Sequence, residues 1–425
     1  MITGPDLPGH QAACHTMKSN RILAWGSAQI FFVLSVLVAV VFAILSSEIE
    51  QKLALSASDL GLLGGVFFVT YAVSQLGLGI LISRVPARFV LGPMAVLSAA
   101  GTFYFSVSGG LASAVIARAL MGIGLGSTFV GVIYLVSRRY GKNFAFMSSV
   151  SQSLANVGAA ALAITSAFVP ILVDFRFPFQ VLGGLFLVSA VLIFLFVDDV
   201  PPAASGDAPS LRAAFLVSVS SGQFWAALVF YCGTFGTLLA FADLWNIQFQ
   251  MNFFQHTVQQ SAVMNSMIPL GVTLGGLAAG WWAGKVGIVL PARVFILLVL
   301  VCFFILLVAP LSFSGAGAMM FVIGCGFGSS TLALAALQQH LPGPAAPLAT
   351  SLVVTAACIF GGIVQPLVGA AVGAPHRAGE ILNLIHSANP DFGTYQRGLI
   401  WLLISVGCSV VASFFFRPAD VKIAV

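Results

Sequence analysis

The chain has 425 residues, 59% of them hydrophobic and only 7% charged, with a formal net charge of +5. An ordinary soluble domain is about 25% charged, so this composition excludes a soluble globular protein, and its apolar excess excludes intrinsic disorder. Long unbroken apolar runs, without the alternation of an outer-membrane barrel, point to an all-α membrane protein.

A helix needs about 20 apolar residues to cross the hydrocarbon. In chain order the sequence predicts twelve such spans, at 22–45, 60–82, 89–107, 111–136, 146–169, 177–197, 224–245, 262–283, 290–311, 316–337, 346–372 and 399–416. The second opens on a capping-box pattern, Ser56 with Asp59. The domain plan is a disordered polar leader at 1–20, a six-helix bundle at 21–197, a proline-bearing linker at 198–222, a second six-helix bundle at 223–417 and a tail at 418–425. The leader lacks the apolar core of a cleavable signal peptide, and Met17 is an alternative start.

Lys and Arg favour one side. Twelve of the seventeen, among them Arg84, Arg88, Arg138, Arg139, Lys142, Lys285, Arg293, Arg417 and Lys422, fall on the side shared by both termini. Lys52, Arg176, Arg377 and Arg397 fall on the other. The positive-inside rule then places both termini in the cytoplasm, and the protein in the inner membrane. The positive balance reflects topology, so no nucleic-acid partner is expected. Five cysteines lie in apolar helices and are read as small buried hydrophobes, with no disulfide framework or metal spacing. No cofactor is implied.

The two halves repeat. Gly79-Ile80-Leu81-Ile82-Ser83-Arg84-Val85-Pro86-Ala87-Arg88 is matched by Gly280-Trp281-Trp282-Ala283-Gly284-Lys285-Val286-Gly287 at an offset of 201. Gly122-Ile123-Gly124-Leu125-Gly126-Ser127-Thr128 is matched by Gly324-Cys325-Gly326-Phe327-Gly328-Ser329-Ser330 at 202. Paired bundles of this kind are common in secondary transporters. On these residues the chain resembles the major facilitator superfamily, whose signature in the turn after the second helix is G-x-L-x-D-R-x-G-R-[KR]. Gly79, Leu81, Arg84 and Arg88 match it; Ser83 stands in place of the acid, Pro86 of the second Gly and Ala87 of the middle cation. Arg118 followed by Gly122 and Gly124 matches the fourth-helix pattern. The resemblance covers the chain from about residue 20. It implies two pseudo-symmetric bundles, alternating access, a gating role for Gly79, Arg84, Arg88, Gly280 and Lys285, and peripheral third, sixth, ninth and twelfth helices.

Polar residues collect on the remaining helices. Tyr71 and Gln75 lie one turn apart on one face, as do Gln152 and Asn156. Gln29, Tyr231, Asn265 and Gln365 add to the set. Arg118 lies about 8 residues into its helix, roughly 12 Å deep, where a charge is costly unless it faces a wet cavity or an anion. The alternative is a structural pin between helices. Asp243 is the one carboxylate within an apolar run. Removal from water penalises its charged form, which makes it a candidate proton carrier, unless it simply sits in water at the headgroup level marked by Trp245. Asn156 is a candidate substrate contact or a helix–helix tie. The spacings Gly122–Gly126 and Gly276–Gly280–Gly284 permit close packing or a hinge. His256, Met251, Met264 and Met267 cluster near one turn, where soft ligands would suit a metal and gap-filling is the bland alternative.

No Walker motif or convergent catalytic set occurs, so neither an ATP-driven pump nor an enzyme is expected. The fifth helix reads Leu154-Ala155-Asn156-Val157-Gly158-Ala159 and lacks the Gly-Pro-x-x-Gly-Gly that the family's antiporters often carry. The expected function is therefore secondary transport of a small anionic or zwitterionic organic solute, by proton symport and as a monomer in the bilayer. The Asp243 segment adds a resemblance to a bacterial nutrient-uptake branch. Export of drugs or lipophilic cations is one alternative and transport of a metal or metal chelate another.

Overall fold

The computed structural model describes residues 9–82, 84–140, 144–166, 174–197, 211–309, 311–342, 345–373 and 392–418. Expectations placed on residues 1–8, on 198–210, on 419–425 and on Lys142, His376, Arg377 and His386 lie outside them, as do the side chains of 9–20.

The first group of helices is α1 (Gly9–Ile44), a short α2 (Ser46–Lys52), α3 (Ala57–Ile82), α4 (Ala87–Ser106), α5 (Leu111–Leu125), α6 (Thr128–Tyr140), α7 (Phe144–Ser166) and α8 (Arg176–Phe196). α1 begins inside the polar leader rather than at its first apolar residue. A ten-residue helix, α9 (Leu211–Ser220), occupies part of the expected linker. The second group is α10 (Gly222–Tyr231), α11 (Thr237–Ala240), α12 (Asn246–Phe253), α13 (Val258–Val286), α14 (Val289–Val308), α15 (Phe313–Gly328), α16 (Thr331–His340), α17 (Ala345–Val372) and α18 (Phe392–Ser413). Among the described residues there is no strand, and eleven rods are long and apolar enough to cross a bilayer. Three of these are composite: Leu111–Tyr140, Gly222–Phe253 and Phe313–His340. α7 stands outside the eleven, because its 23 residues include Gln152, Asn156 and five serines.

The predicted repeat reappears in the packing. Ser56 and Asp59 close a reciprocal capping box at the start of α3 (3.0 and 3.2 Å). Thr257 and Gln260, 201 positions on, do the same for α13 (3.0 and 3.2 Å). Gly122 lies against Phe67 and Tyr71 of α3, and Gly324 against Ile268 of α13. Gly126 meets Tyr71 and Gln75, and Gly328 meets Val272 and Gly276. Gly124 meets Met94 and Ser98 of α4, and Gly326 meets Phe295 and Val299 of α14. Every neighbour pair is again about 201 apart. Any Cβ at these glycines would enter the neighbouring backbone, so the glycines fix how closely the helices approach. The composite rods even break at matching points, where Ser127 donates to the Gly124 carbonyl (3.1 Å) and Ser329 to that of Gly326 (2.7 Å). The close-packing expectation fails for Gly280 and Gly284, whose missing side chains face open space. Their helix end has no neighbour near enough to use the gap.

The two ends of the bundle differ in charge. Four of the five described carboxylates, Glu48, Glu50, Asp59 and Asp174, lie at one end, here the acidic end. Arg84, Arg88, Arg138, Arg139, Arg212, Lys285, Arg293 and Arg417 lie at the other, the basic end. The outward faces of α8 and α14 are apolar and exposed, with Val188, Leu195, Val301 and Phe304 each more than half accessible, as expected for helices at the periphery facing lipid.

The groups join near the acidic end. α3 and α17 run backbone to backbone there. A Cβ on Gly61 would lie 2.6 Å from the Gln365 carbonyl, and one on Gly362 would lie 2.7 Å from that of Gly65. Gln248 donates to both Ser46 and Ser47 (3.1 Å each), and Ser47 meets the Met251 sulphur at 3.6 Å. Ala43, Ile44, Ala159, Ala163, Ile247 and Ala262 close an apolar plug from both groups. Asn156 reaches Thr273 across the interface at 3.2 Å. Nearer the basic end, no hydrogen bond or close glycine contact joins the two groups among the described residues.

Candidate functional site

Arg118 is carried by α5 and Asp243 by the rod Gly222–Phe253. Each lies roughly 10–15 Å of helix from the acidic end, at 1.5 Å per residue. That rod is not a regular helix. Residues 232–236 and 241–245 are wound as two π-helical turns, the second containing Asp243. Such turns re-aim side chains at functional positions. The rod also continues ten residues past Asp243 to Phe253, and Trp245 is only 1% exposed, its indole donating to the Gln365 carbonyl at 3.1 Å. Trp245 therefore does not mark the headgroup level, and Asp243 is not at a helix end.

Arg118 is 1% exposed. Its Nε donates to the Leu63 carbonyl of α3 at 3.1 Å, and its guanidinium carbon sits 4.0 Å from the Phe42 ring centre and 4.3 Å from that of Phe67. Two aromatic faces and one carbonyl offset part of the desolvation of the charge. Nη1 is buried without a partner. Asp243 is partly exposed and makes no hydrogen bond or ion pair among the described residues. The two groups feel each other's charge across the interface between the bundles without touching.

Around them, Tyr71 stacks on Phe67 (6.3 Å between centres). Tyr231 stacks on Phe235 (5.2 Å). Cys358 of α17 lies within electrostatic reach of both tyrosines and of Asp243. Reading the cysteines as uniform fillers misses this placement; nothing in the pattern of α17 marks Cys358. The buried reading also fails for others, since only Cys302 and Cys358 are buried while Cys408 is exposed.

The remaining sequence candidates have narrower surroundings. Gln29 donates to the Ser151 carbonyl at 2.9 Å and ties α1 to α7. Gln75 is buried, with its Oε1 unpartnered. Gln365 is fully buried and donates to the Leu239 carbonyl at 3.2 Å, while its Oε1 presses on Gly64. It is a wedge in the α3–α17 seam. Asn156 spends its amide on Thr273, the helix-tie alternative. Arg84 and Lys285 are exposed at the basic end, Arg88 has a buried unpartnered Nε, and none of the three has a carboxylate partner among the described residues. Lys285 lies over the Trp281 ring instead, at 3.7 Å. Gly79 is in ordinary contact with Val130. The His256–methionine cluster disperses. His256 pairs with Gln250 (3.1 Å), the Met251 sulphur with Ser47, and the Met264 sulphur faces Gly317. No grouping of three or more His, Cys, Asp or Glu suited to a metal occurs among the described residues.

Two related groups of helices, joined near one end and carrying eleven apolar rods long enough to cross a bilayer among the described residues, have the architecture of a polytopic membrane transporter. The family model described as Major Facilitator Superfamily matches residues 28–366, and the chain belongs to that superfamily, whose members are transporters and not enzymes. Similar solved structures include a bacterial homologue of the human lysosomal transporter Spinster, inward-facing and unoccupied. It shows 16% identity, coverage of 93% of this chain and 98% of that one, and TM-score 0.69. The nucleoside transporter NupG shows 16% identity, coverage of 93% and 98%, and TM-score 0.70. At this identity the likeness is one of fold. No curated protein sequence is significantly similar.

Proposed function

We propose that the protein is a proton-coupled symporter that imports a small anionic or zwitterionic organic solute by alternating access. The observation that carries this reading is the separated charge pair. Arg118 in one bundle keeps an unpartnered guanidinium nitrogen, and Asp243 in the other keeps an unpartnered carboxylate. Unpaired charge at membrane depth is costly, whether buried as at Arg118 or partly exposed as at Asp243, so each group calls for a complement during the cycle. A substrate carboxylate satisfies Arg118. A substrate ammonium or a proton satisfies Asp243.

The basic end is assigned to the cytoplasm by its excess of Arg. The described state is then closed outward by the α3–α17 seam and the Gln248–Ser46/Ser47 clasp. Binding of solute and proton from outside requires those contacts to part. A second reading, export of lipophilic cations, draws on the aromatic pairs Phe67–Tyr71 and Tyr231–Phe235 beside a lone carboxylate.

The test is uptake into proteoliposomes under an imposed pH gradient, with substrates first found by a thermal-shift screen of carboxylates, amino acids and organic cations. Under the proposed reading, acidification outside drives uptake, Asp243→Asn abolishes the gradient dependence, and Arg118→Ala weakens binding of the anionic group by about tenfold or more. Gradient-independent uptake, or unchanged behaviour of Asp243→Asn, overturns the proton role. Stabilisation by organic cations alone selects the exporter.

A further inference from the structure

An apolar groove of about 580 Å³ runs along the outer face of the second bundle between α10 and α18, away from the charge pair. Trp225 and Val229 form one wall, and Ile404, Cys408, Val411 and Phe415 the other, with Gly222 and Gly407 leaving room between them. Small residues at these positions keep the two helices from filling the space, and a Cβ added at either glycine would meet nothing within 4 Å. Large apolar side chains flank the groove and remain exposed; Trp225 is 53% accessible and Phe415 65%.

The groove is not apolar throughout its surroundings. Its end at Gly222 and Phe415 lies at the basic end of the molecule. Gln223 joins the two helices there, donating to the Phe415 carbonyl at 2.8 Å while its Oε1 accepts the backbone N–H of exposed Arg417 at 3.3 Å. Arg293 of α14 donates to the Ser413 carbonyl at 3.4 Å and lies over the Phe414 ring at 4.7 Å. The Arg293 guanidinium thus lies against the end of α18, and the backbone of Arg417, whose side chain is exposed, is held next to Gln223 beside the mouth of the groove. Neither arginine has a carboxylate partner among the described residues, since the described carboxylates other than Asp243 lie at the opposite end. Trp225 donates its indole N–H to the Val219 carbonyl at 2.8 Å, which fixes an amphipathic ring at that level, as aromatic residues do at a membrane interface.

We infer that this groove seats an anionic phospholipid, with an acyl chain between α10 and α18 and the phosphate group at Arg293 and Arg417. Charge complementarity selects this occupant over a neutral lipid. A groove that is apolar along its length suits a hydrocarbon chain, and the two cations near its mouth have no carboxylate partner among the described residues. A second copy of this chain would have to bring its own anions to that level, whereas the described residues of the basic end supply none.

The test uses purified full-length protein in detergent, with phosphatidylglycerol and phosphatidylcholine as probes, read by native mass spectrometry and by thermal unfolding. Wild type is expected to retain phosphatidylglycerol in preference to phosphatidylcholine, by roughly thirtyfold if each cation acts as a surface cation does toward an anionic leaflet. Arg293→Gln with Arg417→Gln should bring the two lipids to near equality, while the paired Lys variants keep the preference. Gly407→Phe, which fills the groove from the lipid side, should remove one tightly held lipid and leave the fold intact. Equal retention of both lipids by wild type, a preference that survives the double Gln variant, or a dimer that Gly407→Phe dissociates would overturn the assignment.

Discussion

Arg118 shows how a membrane protein tolerates a charge it does not immediately neutralise. The guanidinium is planar and weakly hydrated, so it can lie between Phe42 and Phe67 and still donate through Nε to Leu63. An ammonium has neither the plane nor the fixed fork. Arg118→Lys should therefore keep the charge yet destabilise the protein by about 2 kcal/mol, the scale of a desolvated cation–π contact. The measurement is thermal unfolding in detergent, and an unchanged midpoint would remove the stacking account. Asp243 is the converse case: among the described residues no donor reaches it, and it is carried on a π turn.

Among the elements, the rod Gly222–Phe253 and the turn after it depart most from the regular pattern. Beyond the second π turn, the amide chain Ala242–Asn265–Asn246–Gln250 runs to His256, with links of 2.9, 2.7, 3.4 and 3.1 Å. His256 lies outside the membrane spans, packed on Phe254 and Phe313. Partial burial lowers its pKa from the ordinary 6.5. The unfolded chain then binds the proton more readily than the folded one, so stability is full above 6.5 and falls as pH drops through that value towards the folded pKa. A pH series of unfolding midpoints should show this loss in wild type and a flatter profile in His256→Gln. Equal slopes in the two proteins would assign the acid sensitivity elsewhere.

For the molecule as a whole, the decisive feature is that the hydrogen bonds and close glycine contacts between the bundles, among the described residues, run from the acidic end only as far as Asn156 and Thr273 at mid-helix. If those contacts part during transport, a covalent tie across them must stop it. Ser47 and Met251 touch across the interface at 3.6 Å. Ser47→Cys with Met251→Cys, oxidised in proteoliposomes, should reduce uptake to background, and reductant should restore it, while each single variant stays active. Continued transport by the fully cross-linked protein would show that this end does not open.

The class of the molecule was written in composition. Few charges, long apolar runs and an offset of about 201 between glycine motifs are local or periodic properties, and lipid forces backbone groups to satisfy themselves within helices. The all-helical membrane class, the repeat of the glycine motifs, the exposed apolar faces of α8 and α14 and the depth of Arg118 were accordingly readable. The capping box at Thr257–Gln260 was equally legible, as the repeat of the one at Ser56–Asp59. Other features depended on contacts between residues far apart in the chain. The placement of Cys358 beside Tyr71 and Tyr231, the use of Gln365 as a wedge against Gly64, and the clasp of Gln248 on Ser46 and Ser47 all arise where the bundles meet. One amide or thiol in an apolar run looks like another until its neighbours across that interface are known. The sequence alone supplied an arginine deep in one helix and a carboxylate either within the membrane or at its headgroup level; the tertiary structure decided that Asp243 lies ten residues inside its rod, in the other bundle from Arg118, because only packing across the chain shows where that rod ends.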